Sequence, residues 1–234
     1  MVNKTLPSKY DLWKKHEAIY VEVFSAALGK LANFTCDISH EDKISESLCP
    51  ILRGICLEKS RKSNREIRTP DWEKPIQPAT NDELNGERKR PDFTCTITNP
   101  FALDPSALDI NEFEIALHIE CKRLGKPTSK SWDLNKNYVV NGIHRFDSPE
   151  HEYGKRAFSG IMIGYIINML PEEILIEINA YQKALCADYR EIEYQFTQNE
   201  VRQHFQRLIR KNIKPETFEL VHLWVDLKHL TNPT

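Results

Sequence analysis

Glu120 and Lys122 stand two residues apart at the end of an apolar run, FEIALHIECKRLG, spanning Phe113 to Gly125. Side chains alternate between faces in an extended chain, so the two project from one surface, roughly 6.6–6.8 Å apart along the strand. Alternation places Phe113, Ile115, Leu117, Ile119 and Cys121 on one face and Glu114, Ala116, His118, Glu120 and Lys122 on the other. A further carboxylate, Asp92, opens the alternating stretch PDFTCTIT, in which Phe93, Cys95 and Ile97 oppose Asp92, Thr94, Thr96 and Thr98. A long, turn-rich connection joins the two stretches, which predicts an antiparallel pair with Asp92, Glu120 and Lys122 on its polar face. Two carboxylates on adjacent strands suit a hard divalent cation, and the Cys121 carbonyl between Glu120 and Lys122 could add a third oxygen. Such a metal polarises a phosphate oxygen and lowers the pKa of a bound water. Lys122, with an ordinary pKa near ~10.4, is a poor base alone. Beside a metal and a phosphate it can orient the attacking water, help deprotonate it, or steady developing charge. Taken singly, Glu-x-Lys is most simply a cross-strand ion pair on a half-solvated sheet, and Asp92 after proline a turn residue. Their convergence favours phosphodiester hydrolysis.

Pro91-Asp92 and Glu120-Cys121-Lys122 together resemble the signature of the PD-(D/E)xK nuclease superfamily. The resemblance implies a restriction-endonuclease-like core, an α/β fold with a mixed central sheet flanked by helices. It also implies Mg²⁺- or Mn²⁺-dependent cleavage of DNA, with RNA left open. Asp92, Glu120 and Lys122 would be catalytic, and Asp92, Glu120 and the Cys121 carbonyl would meet the metal. The first core helix of that family often adds a glutamate. Glu41 fits, lying within about 25° of the apolar direction of its helix, whereas Glu46 falls on the opposite side and is held in reserve. A looser likeness of Tyr138–Ile166 to bacterial nuclease-like proteins suggests anti-phage defence, and a homodimer is a family expectation. A non-cleaving nucleic-acid-binding or assembly subunit of the same fold is the alternative. A nuclease that needs a partner to deliver substrate is a third reading, because the chain shows no helix-turn-helix or zinc-finger signature.

Helical periodicity covers Tyr10–Leu31 and Glu41–Lys59, the second with Ser39 as N-cap and Pro50 able to kink or split it. Ser60–Arg90 reads as irregular connection. Ser129–Phe146 holds a short helix, Phe158–Ile167 is strand or buried helix, and Leu170–Phe196 reads as helix throughout. The segment FELVHLWVDLKH is apolar on both faces, the pattern of a covered central strand. The whole predicts a single domain over 1–234, with a helical extension at 1–35 and a core over about 41–230.

The net charge of −2 excludes a generally sticky polycation, yet the basic residues cluster. Arg88, Lys89, Arg90, Arg123, Lys126 and Lys130 flank the motif, and Arg145 follows it on a neighbouring segment. These are the predicted phosphate-backbone contacts. His118 is expected as a hydrogen-bonded sheet residue, with Tyr138 and His144 in packing roles. Six cysteines without Cys-x-x-Cys spacing point to reduced, packing thiols in a cytoplasmic setting, with neither a zinc site nor a disulfide frame. No phosphate-binding glycine loop, Ser-His-Asp elbow or deaminase signature occurs. Gly160–Leu170 is too short to span a bilayer, and the N-terminus lacks a secretory pattern, so no membrane association is predicted.

Overall fold

The computed structural model describes residues 8–74, 90–97, 115–130, 132–186 and 188–230. Two long helices come first, α1 (Lys9–Leu31) and α2 (Glu41–Ser63). Ser8 and Asp11 close a reciprocal capping box at the start of α1. The start of α2 differs from expectation: His40 is its N-cap, and Ser39 bonds Asp37 through both its amide and its hydroxyl. That local turn occupies the side chain that would have capped the helix. Pro50 lies on the exposed side of α2, which continues past it as one helix to Ser63.

Seven strands form one mixed sheet: β1 (Asp71–Trp72), β2 (Phe93–Thr96), β3 (Ala116–Leu124), β4 (Ser159–Ile166), β5 (Glu193–Gln198), β6 (Val201–Ile209) and β7 (Thr217–Asp226). Their spatial order is β1-β2-β3-β4-β7-β6-β5. The expected antiparallel β2/β3 pair is present, with Phe93 opposite Ile119 and Thr94 opposite His118. The strands β3, β4 and β7 run parallel at the centre, and β7, β6 and β5 finish as an antiparallel meander. The crossover from β3 to β4 carries α3 (Leu134–Val140) and a 3-10 turn over Ile143–Phe146. After β4 comes α4 (Pro171–Leu185).

Three expectations change. The predicted helix over Leu170–Phe196 ends at Leu185, and the rest becomes β5. Asn199 and Glu200 both adopt positive φ and turn the chain directly into β6, completing a hairpin without a glycine. The polar face of β3 is not half-solvated, since every β3 residue except Arg123 is buried. The stretch expected to be irregular, Ser60–Arg90, holds the end of α2 and the strand β1, with 75–89 outside the described residues.

Helix α1 is packed into the common core, with Trp13, Val23, Phe24 and Leu28 buried alongside Leu117, Ile119, Ile161 and Leu223 of the sheet. The Trp13 indole donates to the Ser159 hydroxyl at 2.6 Å, tying α1 to the start of β4. All six cysteines are free thiols. Among the described residues no helix is long and apolar enough to cross a membrane.

Candidate active site

Four segments meet at one end of β3. Asp92, immediately before β2, accepts a hydrogen bond from the Cys121 amide through Oδ2 at 2.5 Å. Glu120 and Lys122 project from β3, and Glu41 is the first residue of α2. The Lys122 ammonium donates to Glu120 Oε1 (2.6 Å), Glu41 Oε1 (2.7 Å) and the Cys121 carbonyl (2.6 Å). The second oxygen of Glu41 accepts from the Arg123 amide at 3.2 Å. Arg145, from the 3-10 turn, reaches Glu120 Oε1 through Nη1. Glu120 is fully enclosed, and its other oxygen, Oε2, has no protein partner.

The electrostatics follow from burial. Burial pushes the Glu120 carboxyl up to about 8, with the neighbouring Asp92 charge adding to the shift and Lys122 and Arg145 opposing it. Burial likewise raises Asp92 and Glu41. For Lys122 burial disfavours the charge, but Glu120, Glu41 and Asp92 outweigh it and hold the ammonium above its ordinary value. Three carboxylates against two cations, Lys122 and Arg145, leave one negative charge in excess when all are ionised. A proton or an added cation restores the balance.

The cluster opens onto a cavity of about 520 Å³ whose wall includes Glu41, Lys122, Arg123, Trp132, Asn141 and Arg145. Arg123 extends along its rim and donates to the Ser39 carbonyl. The sharp exit from β3 needs Gly125: its φ is +145°, and a Cβ there would lie 2.1 Å from Asn168 Oδ1. Lys126 and Lys130 are exposed on the loop that follows.

The structure therefore brings together Asp92, Glu120, Lys122, Cys121 and Glu41. Glu46 is exposed and pairs with Lys43 at 2.9 Å, away from the site. Arg145, expected along a nucleic-acid backbone, sits inside the cluster as a partner of Glu120. Arg90 is exposed just ahead of Pro91, while Arg88 and Lys89 lie outside the described residues. His118 is buried and accepts from the Gly154 amide at 3.0 Å, and burial depresses its pKa to about 4, so it behaves as a neutral sheet residue. Tyr138 bonds His222 and His144 bonds Tyr189, both away from the carboxylates. Sequence reasoning missed Trp132, Asn137 and Asn141 on the cavity wall. The four-residue spacing of the two asparagines on one helix face was the available signal.

Among the described residues no three His, Cys, Asp or Glu side chains are grouped to hold a metal ion. The ammonium of Lys122 itself engages Glu41, Glu120 and the Cys121 carbonyl, three of the oxygens expected around a metal. Comparison with protein-family models, curated proteins and solved structures finds no match to the chain.

Proposed function

We propose that this chain is a nuclease that hydrolyses phosphodiester bonds of DNA with the help of Mg²⁺ or Mn²⁺, on a restriction-endonuclease-like core. The observation that carries this reading is the meeting of Glu41, Asp92 and Glu120, from three separate segments, around Lys122 at the mouth of a cavity. The order α2, three antiparallel strands β1 to β3, α3 and the parallel strand β4 supports the reading, since the core implied by the motif runs helix, three strands, helix, strand.

The residues present fit a hard cation. The donors are all oxygens, Glu120 Oε2 lacks a protein partner, and the cluster holds one more negative than positive charge once all three carboxylates are ionised. Asp92, Glu120 and the Cys121 carbonyl would hold the ion, with Glu41 at its cavity side. When bound, it supplies Lewis-acid activation of the phosphate and a more acidic water. The chain's own groups do the remaining work. Lys122 is held as an ammonium whose three donors are taken by Glu41, Glu120 and the Cys121 carbonyl; released from those oxygens by a bound cation, they would orient the water and steady charge on the phosphate. Arg145 and Arg123 place two guanidiniums on the cavity wall, where they meet phosphate oxygens.

Incubation with supercoiled plasmid and with circular single-stranded DNA, in Mg²⁺ or in EDTA, tests the reading. Metal-dependent cleavage is expected, reduced by roughly 10³-fold or more in Asp92→Ala and in Lys122→Ala with circular dichroism unchanged. Cleavage that persists equally in both variants removes the assignment. One observation favours a second reading, a binding subunit without catalysis: the Lys122 ammonium already occupies three of the oxygens a metal would use. That subunit would retard nucleic acid in a gel and cut nothing in either buffer. A role in phage defence and a substrate-delivering partner remain expectations of the family likeness alone.

A further inference from the structure

The cavity beside the carboxylates has a second wall of a different chemical character. Trp132 stands on it with 49 % of its surface exposed. Its backbone is pinned on both sides: Thr128 N donates to the Trp132 carbonyl at 3.1 Å, and Trp132 N donates to the Ser129 carbonyl at 3.3 Å. The next residue, Asp133, caps α3 through Lys136 N at 2.9 Å and accepts from Tyr181 at 2.6 Å. A large indole is therefore held out into the opening on a firm support, which is the arrangement of a stacking platform. Buried Leu134 adds apolar surface to the same wall.

Asn137 and Asn141 line the same cavity and lie one helical turn apart. Asn141 Nδ2 donates to Asn137 Oδ1 at 2.6 Å, which leaves the Asn137 amide donor and the Asn141 carbonyl acceptor side by side for a ligand. A neighbouring donor and acceptor match the edge of a nucleobase. The remaining wall carries Lys122, Arg123 and Arg145, positive groups suited to the phosphate that such a base brings with it. The volume of about 520 Å³ lies inside the roughly 300–1,000 Å³ range of small-ligand pockets.

We infer that this cavity receives the base of an unpaired nucleotide, stacked on Trp132 and hydrogen-bonded by Asn137 and Asn141, so that the preferred substrate is a single strand or a nucleotide displaced from a duplex. A paired base keeps its faces against its neighbours in the helix and cannot offer one to the indole. The inference rests on reading the carboxylate cluster as a site that handles phosphodiesters.

The test separates binding from cleavage. Fluorescence anisotropy in EDTA compares a short labelled oligothymidylate with a blunt duplex of the same length. The single strand is expected to bind at least roughly tenfold more tightly than the duplex, Trp132→Ala to lose roughly tenfold, and Trp132→Phe to retain most of the affinity. Equal affinity for the two forms, an unchanged Trp132→Ala, or no saturable binding of either form overturns the inference. Cleavage of single-stranded circles in Mg²⁺ at the wild-type rate by Trp132→Ala overturns it as well. Trp132-dependent strand binding without any cleavage by the wild type upholds the nucleotide pocket and removes the hydrolytic reading instead.

Discussion

Two arginines, the half-buried Arg145 and the buried Arg210, approach the same tyrosine and are used in opposite ways. Arg210 is 1 % exposed, and its guanidinium donates to the carbonyls of Pro215, Phe146, Tyr153 and Gly154 at 2.8–3.4 Å. It also lies 4.0 Å from the Phe218 ring centre. Burial lowers its pKa to about 10, so it keeps its charge at neutral pH. Arg145 sits 6.0 Å from the Tyr153 ring centre, holds one carboxylate, leaves Nε without a protein partner, and borders a cavity. A saturated guanidinium wrapped in backbone oxygens is a girder, whereas one with unused donors beside an opening is equipped to act on a ligand. Arg145 is also the more exposed of the two, but the clearer difference is in what the guanidinium donors hold: backbone carbonyls around Arg210, a carboxylate beside a cavity for Arg145.

The largest expected effect breaks the girder. Arg210→Ala strands four buried carbonyls and should destabilise the protein by on the order of 4 kcal/mol, read as a fall in the urea midpoint. Arg145→Ala should do the reverse: a stability change below about 1 kcal/mol, but a loss of cleavage of roughly 10²-fold or more. If the two variants exchange phenotypes, the comparison fails.

A second contrast lies in pH dependence. Burial holds His204 with a pKa of about 4, and neither ring nitrogen has a hydrogen-bond partner. Its folded pKa is below the unfolded value of 6.5, so its contribution is intact above pH 6.5 and is lost as pH falls toward 4. His204→Phe should therefore reduce the loss of stability between pH 7 and 5 by on the order of 2 kcal/mol, measured from urea midpoints at both pH values. Glu120 runs in the other direction. Its folded pKa, about 8, is above the unfolded value, so its contribution is full below about pH 4.5 and fades as pH climbs through 8. Mg²⁺ should offset that loss, stabilising the protein by about 1.4 kcal/mol at tenfold excess over Kd, more at pH 8 than at pH 5. Thermal melts of wild type and Asp92→Ala, with and without Mg²⁺, measure this smallest effect. An Mg²⁺ shift that survives in Asp92→Ala would place the ion elsewhere.

The strand that follows Asp92 and the strand carrying Glu120 and Lys122 were legible because alternation is a local signal, and β7 was legible as a covered strand from its two apolar faces. Glu41 was reached through the family resemblance, which called for a glutamate from the first core helix, and the helical wheel of α2 chose it over Glu46. The hairpin of β5 and β6 was not: every β5 residue is exposed, so burial imprints no alternation on it. Its turn is made by Asn199 and Glu200 in place of the Asn-Gly pair that flags such turns. The partnership of Arg145 with Glu120 was also hidden, since it depends on how the crossover folds back. Gly142 permits that approach; a Cβ there would lie 2.4 Å from the Tyr138 carbonyl and 2.6 Å from Met162 Cε. The enclosure of the polar face of β3 comes from packing across the chain, which no local pattern records.

The outer ribbon β5 bears Tyr194 and Phe196, both about half exposed, and terminates the sheet among the described residues. A flat border of this kind would invite another strand to zip onto it. Between Tyr194 and Phe196, however, the pairing with β6 slips out of step. That kink spoils the even comb of amides and carbonyls a visiting strand would need, so the molecule can keep aromatic surface at its margin without growing into fibres.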